Sequence, residues 1–125
     1  MPTFHHANLG IPPDLAEAEA DFLVGILGYR RLEPPKPAAD FGARWFEADD
    51  GTQVHLSLDA AHAPAAMAHT AVHVGGESDA IAARLTDAGI RFKSAERRQP
   101  DHPVQGSSWE SLGAAQLKPC YASTA

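Results

Sequence analysis

The sequence begins the same way twice. Phe4-His5-His6-Ala7-Asn8-Leu9-Gly10-Ile11 alternates so that Ala7, Leu9 and Ile11 point one way while His6 and Asn8 point the other, as in a half-buried strand. After an Ala-rich connection over residues 60–68, His69-Thr70-Ala71-Val72-His73-Val74 repeats that pattern. Val72 and Val74 stand where Leu9 and Ile11 stood, and His69 stands where His6 did. A helical stretch follows each opening and ends on a glycine, Gly28 before Tyr29-Arg30 and Gly89 before Ile90-Arg91-Phe92. The offset is 63 residues at the histidines and 61 at the glycines, so loop and helix lengths differ slightly while the order persists. A chain built this way duplicates one supersecondary unit, and the first copy defines that unit.

In the first copy Pro12-Pro13 stops the opening strand. Asp14, with Glu17 three residues on, is patterned as a capping box for a helix carrying Leu15, Ala18, Phe22 and Ile26 at helical spacing. Tyr29 to Leu32 reads as a short strand, Pro34-Pro35-Lys36-Pro37 as a rigid loop and Ala43 to Ala48 as a further strand. Asp49-Asp50-Gly51 is a hairpin turn. Beyond it Val54, Leu56 and Leu58 alternate with Gln53, His55 and Ser57. The order is βαβββ. In the second copy Gly75-Gly76 breaks the opening strand, Ser78 is placed to cap a helix with Ile81 and Leu85 on its buried face, and the repeat calls for two or three more strands. The last quarter fits that expectation poorly: residues 99–103 are polar and residues 106–111 alternate only weakly.

At 125 residues the chain is expected to be a single domain, residues 1–125, with one module over about 4–59 and another over about 68–125. Apolar residues at 44% and charged ones at 21% fit an ordinary soluble globular protein. A formal charge of -6 and a pI near 5.5 disfavour phosphate backbones and anionic headgroups, so neither nucleic acid nor membrane is an expected partner. No stretch has the length of a membrane-spanning helix and the first residues lack a signal-peptide pattern, which makes the cytoplasm the expected location. Cys120, the one cysteine, sits in a small polar tail and reads as chemically incidental.

These features together resemble the vicinal-oxygen-chelate superfamily of glyoxalases, bleomycin-resistance proteins and dioxygenases. The resemblance covers about residues 4–96. It rests on His6-x-x-Leu9-x-Ile11, Leu27-Gly28-Tyr29, Asp50-Gly51 before Gln53-Val54-His55-Leu56, His69-x-x-Val72-x-Val74 and Ala88-Gly89-Ile90. It implies an α+β fold in which two βαβββ modules form a cupped mixed sheet around one cavity. In metal-dependent relatives, histidines opening the first and fifth strands bind a divalent cation, which carries over to His6 and His69. The slot on the fourth strand, glutamate in glyoxalase I, holds His55. Neutral imidazoles suit zinc, nickel, iron or cobalt better than magnesium or calcium. This chain departs from the pattern at the final strand. The glutamate expected there is not recognisable near Gln116-Leu117-Lys118, and Glu110, the only acidic residue after Asp101, fits only with a shifted register.

Each of these residues also has an ordinary structural reading. An isolated strand histidine is more often a hydrogen-bonding sheet residue than a ligand, but equivalent places in two repeats raise the case for His6 and His69. His55 could equally be a polar cavity wall. His73, on the His69 face, is a candidate substrate contact, as is Trp45, although a strand tryptophan is more often core. His5 is expected to point towards the helix side and His62 and His102 to lie in loops, all three without function. Two functions follow. One is a metal-dependent lyase, isomerase or dioxygenase acting on a small oxygen-rich molecule, the metal serving as Lewis acid. The other is a metal-free protein that sequesters a small molecule, as bleomycin-resistance proteins do, behind walls drawn from the nine aromatic residues. A homodimer is expected, since family members commonly dimerise and an incomplete final sheet would leave edges to cover.

Overall fold

A computed structural model describes residues 1–61, 70–99 and 102–109. The chain divides into two compact units, residues 1–63 and 64–125.

The first unit is a βαβββ module. Strand β1 (His6–Ile11) buries Leu9 and Ile11 and leaves His6 and Asn8 exposed, as its alternation requires. Pro12 is in an extended conformation, and the chain turns through one 3₁₀ segment, Pro13–Leu15, into helix α1 (Ala16–Asp21). The expected capping box does not form, because no side chain caps this start. Proline fits the first helical position without needing its missing N–H. Glu17 turns outward instead, to Arg31 at 3.3 Å and Arg44 at 3.5 Å.

Helix α1 widens into a π-helical turn over Phe22–Ile26. Its buried residues are Ala16, Glu19, Ala20, Phe22, Leu23 and Ile26, so the buried stripe includes Phe22 and Ile26 as expected but not Leu15 and Ala18. Gly28, at φ 81°, ends it, and Tyr29 N–H donates to the Leu23 carbonyl at 2.9 Å.

Strands β2 (Arg30–Leu32), β3 (Arg44–Glu47) and β4 (Gln53–Leu58) complete a four-stranded sheet of order β1-β4-β3-β2. Strand β4 runs parallel to β1, and the β2–β3 and β3–β4 pairs are antiparallel. The register sorts every side chain. Leu9, Ile11, Phe46, Val54 and Leu56 are buried on one face with the apolar side of α1. His6, Asn8, Trp45, Glu47, Gln53, His55 and Ser57 share the other. The β3–β4 turn is closed by Gly51, at φ 85°, and by Asp50, whose Oδ1 accepts from the Thr52 N–H at 2.9 Å and its hydroxyl at 2.6 Å.

In the second unit, Thr70–Val74 is not the expected strand. The burial alternation survives, with Val72 and Val74 half-buried and Ala71 and His73 exposed, but no ladder partner pairs with them among the described residues. Side-chain alternation is necessary for a half-buried strand; backbone pairing makes one. A 3₁₀ turn, Gly75–Glu77, leads into helix α2 (Ser78–Asp87), with Ile81 and Leu85 buried. Glu77 rather than Ser78 occupies the cap position, and no side chain caps it. Within the polar last quarter, β5 (Phe92–Gln99) and β6 (His102–Trp109) pair antiparallel, in register from Phe92↔Trp109 to Gln99↔His102. His102 therefore starts a strand instead of lying in a loop. Ladder hydrogen bonds use backbone groups, so this pair forms where side-chain periodicity is weak.

Candidate functional site

The polar face of the first sheet gathers a row of rings. Trp45 on β3 lies directly opposite His55 on β4, and their rings stack at 3.8 Å with 2° between planes. His6, at the start of β1, covers the other side of His55 at 4.3 Å and 20°. His55 is thus sandwiched and only 6% exposed, while His6 is exposed and Trp45 half-buried. Gln53, two residues back on the same face, places its Oε1 2.8 Å from His55 Nε2. With that oxygen as acceptor the imidazole proton sits on Nε2 and Nδ1 is the basic nitrogen. Further along the row the Ser57 hydroxyl donates to Asn8 Oδ1 at 2.8 Å.

Burial, and then the neighbouring His6 and His5 imidazoles, holds the His55 pKa below the ordinary histidine value of 6.5. His55 is therefore a neutral ring at neutral pH. Asp50 is also shifted downwards, by the side-chain and then the backbone hydrogen bond from Thr52, which favour its ionised form.

His5 does not point to the helix side as alternation predicts. It precedes the first residue of β1, its ring meets the His6 ring edge-on at 5.0 Å and 83°, and the two Nδ1 atoms are 2.8 Å apart. Strand alternation does not constrain a residue outside the strand.

The donor chemistry of this corner fits a borderline divalent cation: exposed imidazoles in a chain of net charge -6. Among the described residues no three His, Cys, Asp or Glu side chains converge to hold one, so the first unit by itself offers paired imidazoles and solvent positions. Of the other sequence candidates, His73 is exposed in the second unit. His69, His62, Glu110, Cys120 and residues 116–118 lie outside the described residues.

Beside the ring row a cleft of about 380 Å³ opens between β2, β3 and residues 33–43, lined by Arg31, Leu32, Pro34, Arg44, Trp45 and Phe46 among others. Trp45 belongs to both features. Arg44 lies opposite Leu56 and so turns to the helix side, where it meets Glu17 and the Gly42 carbonyl, whereas Glu47 lies on the polar face 3.9 Å from Arg30. Sequence reasoning set His5 aside as without function and passed over the role of Gln53. For Gln53 the signal existed in its alternation with His55; for His5 the same rule pointed the wrong way.

No family profile matches the chain, and no curated protein matches it by sequence. Solved structures do. A protein of Bacillus anthracis assigned to the glyoxalase family superposes with a TM-score of 0.80 at 18% identity, covering 99% of this chain and 97% of that one. A glyoxalase/dioxygenase from Nostoc punctiforme gives 0.72 at 18% identity, over 98% and 92%. The fosfomycin resistance protein FosX of Listeria monocytogenes, in complex with Mn(II) and sulfate, gives 0.68 at 15% identity, over 98% and 89%. At such identities the likeness establishes the fold.

Proposed function

Starting from a chain that has the vicinal-oxygen-chelate fold of glyoxalase, dioxygenase and fosfomycin-resistance proteins, we propose that it is a divalent-metal-dependent enzyme acting on a small oxygen-bearing molecule. The observation that carries this reading is His6, an exposed imidazole on the polar sheet face whose ring is backed by the His55–Trp45 stack. The family resemblance adds His69 as a second ligand. A zinc, nickel, iron or cobalt ion held there would act as a Lewis acid towards neighbouring substrate oxygens. The chain's own residues do the positioning. His55, its Nε2 engaged by Gln53, holds the His6 ring against one face and presents a neutral, uncharged floor. Trp45 carries that floor to the rim of the cleft, where an apolar part of a substrate could lie. His73 remains a candidate substrate contact by the resemblance between the two chain openings.

The cleft itself favours a second reading, a metal-free protein that binds and sequesters a small molecule against Trp45 and Phe46, in the manner of bleomycin-resistance proteins. Metal content by mass spectrometry, after purification without chelator or affinity tag, separates the two. Near-stoichiometric metal, lost in His6→Ala and His69→Ala, supports the enzyme reading. No metal after reconstitution with each of the four ions overturns it in favour of the binding protein.

Among the described residues no helix is long and apolar enough to cross a membrane, in keeping with a proposed cytoplasmic location. We also propose a homodimer, supported by the edge positions of β1 and β2 in the four-stranded sheet. A monomeric mass by light scattering at working concentration refutes it.

A further inference from the structure

We infer that His5 and His6 together form a two-nitrogen clamp for a late first-row divalent ion, with both Nδ1 atoms as ligands; this rests on the metal-dependent reading and makes His5 part of the site.

Two imidazoles whose Nδ1 atoms face each other at 2.8 Å can be joined in two ways. One is an N–H···N hydrogen bond, which requires opposite tautomers in the two rings. Both rings are exposed, so water competes for each nitrogen and such a bond contributes little to stability. The other is a shared cation. With metal–nitrogen bonds of about 2.0–2.1 Å, a 2.8 Å separation corresponds to a ligand–metal–ligand angle of roughly 85°, close to the right angle of octahedral and tetragonal coordination. The nearly perpendicular rings, at 83°, keep the two imidazoles from clashing around a common point.

The surroundings suit the task. His6 is backed by His55, which is itself held by Trp45 and by Gln53, so the His6 ring is oriented before an ion arrives. His5 hangs on the chain just ahead of β1, yet its carbonyl accepts from the Gln53 N–H at 2.9 Å, which ties its backbone to β4. One half of the clamp is fixed and the other is tethered nearby. Imidazole nitrogens select for cobalt, nickel, copper or zinc over magnesium and calcium, and the usual affinity order puts copper(II) first.

The test uses the full chain and copper(II), zinc, nickel, cobalt and iron(II) salts as probes. Calorimetric titration compares the wild type with His5→Ala, His6→Ala and His69→Ala, and the electron paramagnetic resonance of the copper-loaded proteins counts equatorial nitrogens. Circular dichroism checks that each variant is folded. The clamp predicts at least tenfold weaker binding in His5→Ala and one fewer coordinated nitrogen than in the wild type. Unchanged affinity and nitrogen count in His5→Ala, with binding lost in His6→Ala and His69→Ala, overturns the clamp and leaves the metal-dependent reading standing. Absence of binding by the wild type overturns both.

Discussion

Truncating His55 to alanine tests whether the ring row is a structural unit. The side chain is 6% exposed, lies 3.8 Å from the Trp45 ring and 4.3 Å from the His6 ring, and meets Gln53 at 2.8 Å. The hydrogen bond is worth about 1 kcal/mol net, the parallel stack on Trp45 about 0.5–1.5 kcal/mol, and the emptied volume adds to both. His55→Ala should therefore cost about 2–4 kcal/mol in urea unfolding followed by far-ultraviolet circular dichroism. The sharper quantity is a coupling energy. A double-mutant cycle of His55→Ala with Trp45→Leu should give about 0.5–1.5 kcal/mol, whereas His55→Ala with His6→Ala should give less. The order follows from geometry, because the Trp45 pair is closer, flatter and more buried. A Trp45–His55 coupling below about 0.3 kcal/mol, within ordinary additivity, refutes the stack as an energetic unit. A larger coupling for His6 refutes the assigned geometry.

Because the folded-state pKa of His55 lies below 6.5, the unfolded chain binds more protons than the native one between those two values. Stability should rise with pH across that interval and be lost as pH falls from about 6.5; His55→Gln should flatten the slope of urea midpoint against pH, and an unchanged slope counts against the assignment. Two glycines should respond oppositely to alanine. Gly42 is at φ 80° and an added Cβ would sit 2.8 Å from Leu58 Cδ1, so Gly42→Ala should lose about 1–2 kcal/mol. Gly25 lies in the helical segment with nothing within 4 Å, so Gly25→Ala should gain about 0.5–1 kcal/mol, and equal effects in the two unfolding curves would contradict this account.

Local alternation carried much of the fold. Leu9 and Ile11 in β1, Val54 and Leu56 in β4, and Ile81 and Leu85 in α2 are buried as their spacing implies, and Gly28 and Gly89 end their helices at positive φ. The same alternation placed His6, Gln53 and His55 on one face. What it could not show is who stands opposite whom. The stack of Trp45 on His55 depends on the β3–β4 register, and that of His6 on His55 on a parallel pairing across 49 residues, neither of which leaves a mark in the separate segments.

The misses share a cause. Thr70–Val74 has the side-chain pattern of a strand without a ladder among the described residues, and residues 92–99 and 102–109 form a ladder with little pattern. Asp14 and Glu17 spell a capping box that Pro12-Pro13 makes unnecessary, freeing Glu17 for Arg31 and Arg44. His5 obeys no face because it precedes the strand, and only the folded chain brings its Nδ1 to that of His6. Sequence by itself determined which side chains are apolar, where the helices end and which residues could share a face, since those follow from covalent chemistry and spacing. Tertiary structure alone decided pairing, register and the meeting of His5, His6, His55 and Trp45, because backbone hydrogen bonds are chemically alike at every residue and acquire identity only from the neighbour that folding supplies.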